Sequence, residues 1–212
     1  VNSEFLSGHF KYTNLSSTPC NSVRKLMPGH WLKFDDLGVE INKFWEPEQI
    51  KPDLRLSYDT MISGLGELLE DSVRIRCDVR FTAGAHVSGG LDSGVVASLA
   101  RQSYDGQKDF YGFSLSPASF DSGTAKDDER DLVRKLCDMT HITPVFSTMS
   151  QGEFRSYIRK YYTNLGFFAD DAILARARDL HVNLIFSGWG GDEFISTGSR
   201  SIEADLFWGL HL

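Results

Sequence analysis

The hexapeptide Ser88-Gly89-Gly90-Leu91-Asp92-Ser93 constrains this chain more than any other stretch. An apolar run with strand character, Phe81 to Val87, leads into it. Val95, Val96, Leu99 and Ala100 follow at a spacing that predicts a helix over 93–103. A strand, a glycine turn and a helix N-terminus together make an anion site. The first N–H groups of a helix have no partner within it, and its dipole favours negative charge there. Gly89 and Gly90 let main chain approach a ligand closely, and Ser88 and Ser93 add hydroxyl donors. Asp92 is the odd member, because a carboxylate repels phosphate. It makes sense where a divalent cation sits between the two. No lysine follows the glycines, so this is not a Walker loop. The plainer alternative is a glycine turn that only joins a strand to a helix.

Bulk properties narrow the setting. Of the 212 residues, 41% are hydrophobic and 24% charged, the balance of a soluble globular chain. The net charge of −7 and the lack of a dense basic stripe argue against nucleic acid as a partner. A nucleotide remains compatible, since a local anion site needs no basic surface. Cys20, Cys77 and Cys137 are widely spaced and form no C-x-x-C pair. That excludes zinc and redox motifs and fits reduced core thiols in a cytoplasmic protein. No stretch has transmembrane length and no signal pattern opens the chain, so no membrane partner is expected. Val1 stands where Met would, and a new apolar pattern, Ala204, Leu206, Phe207 and Leu210, begins near the end. Both features read as a piece of a longer protein.

In chain order, Pro28-Gly29 signals a turn. Trp31–Phe34 and Val39–Trp45, joined by Asp35-Asp36-Leu37-Gly38, read as a β-hairpin with no cleanly apolar face. Pro47 and Pro52 bracket a charged stretch that reads as a linker over 47–56. From residue 57 the period becomes helical: Met61, Ile62, Leu65, Leu68, Leu69 and Val73 form one stripe to about Arg76. Strands then alternate with helices. Strands are expected over 81–87, 110–115, 142–146 and 182–186, and helices over 93–103, 127–140 and 171–181. Ser150 and Glu153 form a capping-box pattern ahead of a further helix. The fold class is therefore α/β, a doubly wound parallel sheet preceded by a small β fragment. Ligands of such sheets bind beyond the carboxyl ends of the strands, where the hexapeptide lies.

The fourth strand ends in a second glycine loop, Ser187-Gly188-Trp189-Gly190-Gly191-Asp192-Glu193. Its bland reading is a flexible loop with a solvated acidic pair. Both loops leave the same sheet edge, however. If their strands are close, Asp92 and Asp192 can share one Mg²⁺, which takes hard oxygens from carboxylates and phosphates. Asp92 and Asp192 are accordingly the candidate catalytic and metal-binding pair.

The hexapeptide resembles the pyrophosphate loop of the ATP pyrophosphatase families. With the second loop added, the sequence resembles the synthetase domain of asparagine synthetases, whose relatives include β-lactam synthetases and lasso-peptide macrolactam cyclases. Leu26-Met27-Pro28-Gly29-His30 with Trp45 resembles the end of that family's glutaminase-like domain, and Asp128-Glu129-Arg130-Asp131 the acidic opening of its next helix. The implied division is a glutaminase-like remnant over 1–46, the linker, and an ATP-binding synthetase domain over 57–212. The implied chemistry is ATP-dependent: a carboxylate substrate becomes an acyl-adenylate with release of pyrophosphate, and ammonia, from glutamine or free, or an amine then attacks. Ser88, Gly89, Gly90, Leu91, Asp92 and Ser93 would hold pyrophosphate. Ser114, on the stretch from Phe113 to Ser116, would lie by adenine, and Ser187 and Gly188 by AMP. Trp189 and Glu193 would belong to the acceptor pocket. A homodimer is one assembly open to it.

Three departures from the family pattern matter. No terminal cysteine nucleophile is present. The later helices that carry a catalytic lysine in several members lie beyond Leu212. Trp189 stands where asparagine synthetases usually have a glutamate, and an indole cannot replace a carboxylate in binding an ammonium group. Its other role would be packing. Three readings therefore stay open: an asparagine synthetase proper, a related amide-forming ligase or cyclase with another carboxylate, and a non-catalytic nucleotide-binding homologue. The intact first loop argues against the last.

Overall fold

The computed structural model describes residues 2, 3, 5, 16–51, 53, 55–104, 109–117, 128–148, 150–161 and 168–192. The expected pattern at 204–210 lies outside them, as does Glu193. The chain divides into two compact units, Val1–Tyr58 and Asp59–Leu212.

The first unit carries an antiparallel hairpin of β1 (His30–Asp35) and β2 (Gly38–Lys43), in register from His30↔Lys43 to Asp35↔Gly38. Asp35 closes its turn by accepting a hydrogen bond from the Leu37 N–H at 2.9 Å. Gly29 precedes it at φ +69°, and a side chain there would run into the Trp45 carbonyl, so glycine is required on both counts. Every residue of β2 is exposed, as its lack of a clean apolar face predicts. Pro47–Gln49 forms a single 3₁₀ turn inside the stretch expected as a linker.

The second unit opens with α1 (Tyr58–Arg74), of which Val73 enters the core. There follow β3 (Ala83–His86), α2 (Leu91–Gln102), β4 (Phe110–Leu115) and α3 (Arg130–Thr140). The unit continues with β5 (Thr143–Ser147), α4 (Gln151–Tyr161), α5 (Phe168–Asp179) and β6 (Leu184–Phe186). The four strands of this unit pair in parallel in the order β5-β4-β3-β6. Alternation along β4 sends Phe110 to one face and Phe113 to the other. Phe110 packs in a core with Val73, Ala97, Ala100, Val133 and Cys137, drawn from α1, α2 and α3. Phe113 packs with Ile173, Ala177 and Val182, from α5 and the turn after it. Helices thus cover both faces, and the sheet is doubly wound as expected.

Boundaries differ from the sequence reading by at most three residues, with β4 matching at both ends, and one shift has meaning. Helix α2 starts at Leu91, with Gly90 as its N-cap, rather than at 93. Apolar spacing cannot register a first turn built from Leu91, Asp92 and Ser93. The capping box of α4 forms as its pattern predicts: the Ser150 N–H donates to Glu153 Oε2 at 2.7 Å, and the Glu153 N–H to Ser150 Oγ at 3.2 Å. Two helix ends turn through left-handed histidines, His141 and His181, both at φ 55°. The Ile142 and Val182 N–H groups reach back to Cys137 and Ala177 carbonyls at 2.9 and 2.8 Å.

Cys137 is fully buried, and desolvation pushes its thiol up to about 11. Cys20 is exposed and pulled down by its hydrogen bond with Ser22. At pH 8 only about one Cys137 in a thousand is thiolate, the reactive form. Iodoacetamide should therefore alkylate Cys20 in the native protein and reach Cys137 only on unfolding, as read by peptide mass mapping. Comparable native labelling of both cysteines would contradict the core described above.

Candidate active site

The hexapeptide is internally braced. The Ser88 and Ser93 hydroxyls lie 2.8 Å apart, the Ser88 N–H donates to Ser93 Oγ at 3.1 Å, and the Gly90 N–H to Ser88 Oγ at 3.1 Å. Upstream, the Val87 N–H donates to the Phe113 carbonyl at 2.8 Å, carrying the sheet ladder one residue beyond β3. The first turn of α2 is thus held rigidly at the carboxyl end of the sheet.

Strand order decides what meets it. From β3 the chain moves through α2 to β4 on one side, while β6 returns on the other side of β3. The reversal point falls between β3 and β6, the place where doubly wound sheets bind ligands. The second loop leaves there and packs onto the first. A side-chain carbon on Gly188 would lie 2.5 Å from the Ser93 backbone nitrogen, and one on Gly191 would fall within the Asp92 carboxylate. At Gly188 the clash would be with backbone, so only glycine permits that approach; at Gly191 a side chain would have to push the Asp92 carboxylate aside. Asp192, next in chain, lines the same cleft as Asp92.

The resulting cleft has a volume of about 880 Å³. Of the expected site residues, Ser88, Gly90, Leu91, Asp92, Ser93, Ser187, Gly188, Trp189 and Asp192 line it. Trp189 is 73% exposed, so its indole is available to a ligand rather than packed in the core. Ser114 does not line the cleft; it is buried, with its hydroxyl 3.4 Å from that of Ser116. Its neighbours Phe113 and Leu115 line the cleft instead. Gly89 faces an adjacent groove between α2 and α3. Glu193 lies outside the described residues. The charged residues of the lining are Asp92, Asp170 and Asp192, together with the imidazole of His86; no lysine or arginine belongs to it among the described residues.

Glu129 is a site residue that sequence reasoning assigned to no role. Its Oε2 accepts a hydrogen bond from the Gly89 N–H at 2.9 Å. A carboxylate thus occupies one donor of the anion loop. Its place is set by Arg130, which is buried, grips Asp128 through Nε at 2.8 Å and donates from Nη1 to the Pro117 carbonyl at 3.3 Å. That clamp fastens the start of α3 to the chain leaving β4. Hydrogen bonds from Arg130 hold the Asp128 carboxyl down at about 2. The acidic run before α3 was visible in sequence, but its reach across to residue 89 was not.

The chain was compared with known proteins. The asparagine synthase family model matches residues 64–209. Among curated proteins, the amidase chry2 of Gibberella zeae is 33% identical over 138 residues, covering 58% of this chain and 20% of that protein. The chain thus spans about a fifth of that relative's length. Among solved structures, the NH3-dependent NAD synthetase from Campylobacter jejuni, in complex with nitrate, aligns with a TM-score of 0.39 at 15% identity, over 61% of this chain and 56% of that one.

Two expectations follow from the acidic opening of α3. A bound phosphate group would have to displace the Glu129 carboxylate from the Gly89 N–H and tolerate its charge. Glu129→Gln should therefore tighten binding of metal-free pyrophosphate by about tenfold, or ~1.4 kcal/mol, read by calorimetry; unchanged affinity would contradict the displacement. The second concerns pH. Because the folded carboxyl of Asp128 is depressed, its contribution is fully present above pH about 4 and fades as pH falls toward 2. Asp128→Asn should lower the melting temperature at pH 6, with the gap to wild type closing by pH 2. A gap constant over that range would show that Asp128 stabilises without its charge.

Proposed function

This chain belongs to the asparagine synthase family, and from that premise we propose that the full-length protein activates a carboxylate with ATP and joins it to ammonia or an amine. The observation that carries the reading is the junction of the two loops: Gly188 and Gly191 lie against Ser93 and Asp92, and both aspartates line one cleft with the helix N-terminus.

In this reading the β and γ phosphates rest on the Ser88–Ser93 loop, with the two serine hydroxyls and the free main-chain donors of the first turn as partners. The substrate carboxylate oxygen attacks the α phosphorus. The bond between the α and β phosphates breaks, and its electron pair leaves with pyrophosphate. The nitrogen nucleophile then attacks the acyl carbon, loses a proton, and AMP departs with the C–O bonding pair. Phe113 and Leu115 offer an apolar wall for adenine, and Ser187 and Gly188 lie where the AMP moiety would pass. The lining supports a divalent ion on chemical grounds: the carboxylates of Asp92 and Asp192, no lysine or arginine among the described residues, and a polyphosphate to bind. Asp92 and Asp192 would hold Mg²⁺, which when bound offsets charge on the leaving pyrophosphate. Rigid donors from the loop stabilise that charge without reorganising.

A second reading concerns the substrate. The exposed Trp189 in the cleft favours a carboxylate other than free aspartate, as in a cyclase or another amide-forming relative. Glutamine or ammonia remains the proposed nitrogen source. The cytoplasm is the proposed setting, on the cysteine chemistry; among the described residues no helix is long and apolar enough to cross a membrane.

The test is the product set. Full-length protein supplied with ATP, Mg²⁺, ammonia and a panel of carboxylates should release AMP and pyrophosphate, resolved by ion-exchange chromatography. ADP and phosphate as the products would overturn the mechanism.

A further inference from the structure

The cleft contains a polar pair that the proposed reaction leaves unused. His86 is the last residue of β3, and Asp170 stands in the first turn of α5. Both line the cleft, together with Phe113, Ile173 and Trp189. They belong to different walls: Asp92 and its loop come from β3 and α2, whereas α5 packs over β4 and β5 on the opposite face of the sheet. Asp170 therefore lies in the phosphate cleft without being part of the phosphate loop.

Charge makes this position informative. His86 is half-buried, and that burial pushes its pKa down while the Asp170 charge opposes the shift. The direction leaves a neutral imidazole at pH 7, so His86 does not neutralise Asp170. Among the described residues, no lysine or arginine forms an ion pair with Asp170, and none lines the cleft. A carboxylate that lines a cleft with no lysine or arginine beside it among the described residues is open to a cation that a ligand supplies. Asp92 and Asp192 have an occupant of their own in the proposed ion. Asp170 does not. A second substrate carboxylate would meet Asp170 and, among the described residues, no lysine or arginine to pair with it, a like-charge arrangement that disfavours it.

We propose that Asp170, with His86 beside it, receives a cationic nitrogen on the carboxylate substrate, so that the preferred substrate class is a monocarboxylate bearing an ammonium group. This rests on the ligase reading and names its substrate class. The indole of Trp189 fits the same class, since an aromatic face attracts a cation and offers nothing to a carboxylate. Asp170 is a specificity residue here, separate from the bond-making groups.

The test measures binding before chemistry. Full-length protein, held with Mg²⁺ and a non-hydrolysable ATP analogue, is titrated with 4-aminobutyrate, 6-aminohexanoate, their des-amino twins butyrate and hexanoate, and aspartate. Wild type should bind at least one aminocarboxylate about tenfold or more tightly than its twin, and more tightly than aspartate. Asp170→Asn should erase that preference without changing affinity for the analogue, and Asp170→Glu should restore part of it. Equal binding of both members of every pair, aspartate binding as tightly as the best aminocarboxylate, or a preference that survives Asp170→Asn would overturn the proposal. ATP–pyrophosphate exchange run on the same panel separates the two layers. A preference for aminocarboxylates that Asp170→Asn erases, with no exchange for any carboxylate, would uphold the pocket and count against the ligase reading alone.

Discussion

The second unit depends on one close approach: the main chain of Gly188 and Gly191 lying against the first turn of α2. No side chain fits at Gly188 and none fits at Gly191 unless Asp92 moves, so the interaction is backbone against backbone and backbone against carboxylate. It brings two segments almost a hundred residues apart into a single cleft. Much of the surrounding structure serves to hold the ends of β3 and β6 at the spacing this requires. The small residues Ala83, Gly84 and Ala85 make β3 a narrow central strand, paired on both sides and buried. Separate cores on the two faces, around Phe110 and Phe113, keep those strand ends from sliding.

The electrostatics of the cleft run against its main-chain donors. A helix N-terminus and loop amides attract anions, yet among the described residues the charged side chains of the cleft are acidic, and Lys135 lines only the adjacent groove. Asp92 sits within the loop, Asp192 lines the same cleft, and Glu129 accepts a hydrogen bond from the Gly89 amide. On the proposed reading, a polyphosphate brought into this setting would carry a cation with it. This is a different solution from a loop with its own lysine, in which the protein supplies the positive charge. The Arg130–Asp128 clamp shows how firmly Glu129 is presented: a buried guanidinium ties the start of α3 to Pro117 and so fixes the angle at which the acid meets the loop.

The acceptor side of the cleft differs in character. Phe113, Ile173 and Trp189 are apolar or amphipathic, and Asp170 and His86 are the polar groups among them. Membership of the asparagine synthase family accounts for the phosphate side through its two glycine loops. On the proposed reading the acceptor side is where this chain has its own chemistry, with a lining drawn from β3, β4, α5 and the second loop.

Local pattern determined a good deal. The alternation of strands and helices, the α4 capping box, the hairpin and both glycine loops depend on neighbours within a few residues, and all were legible in the sequence. Asp92 and Asp192 were legible as a pair because each follows a strand and so projects from the same sheet edge. Strand order was not legible, since it depends on which crossover passes to which side of β3, and nothing within β6 encodes its neighbour. Without that order, the packing of Gly188 on Ser93 could not be derived, only conditioned on the strands being close. Glu129 and Asp170 escaped because Glu129 bonds Gly89 forty residues away and Asp170 lines a cleft built mainly from distant segments, and an acidic residue at the start of a helix reads the same whether it faces solvent or a ligand. Ser114 was drawn to the site by its place at a strand end, but the two-residue period of β4 gives the cleft to Phe113 and Leu115 and turns Ser114 inward. Sequence determined which segments carry the candidate site residues; the tertiary structure decided which of their side chains meet, because that is fixed by distances no local pattern contains.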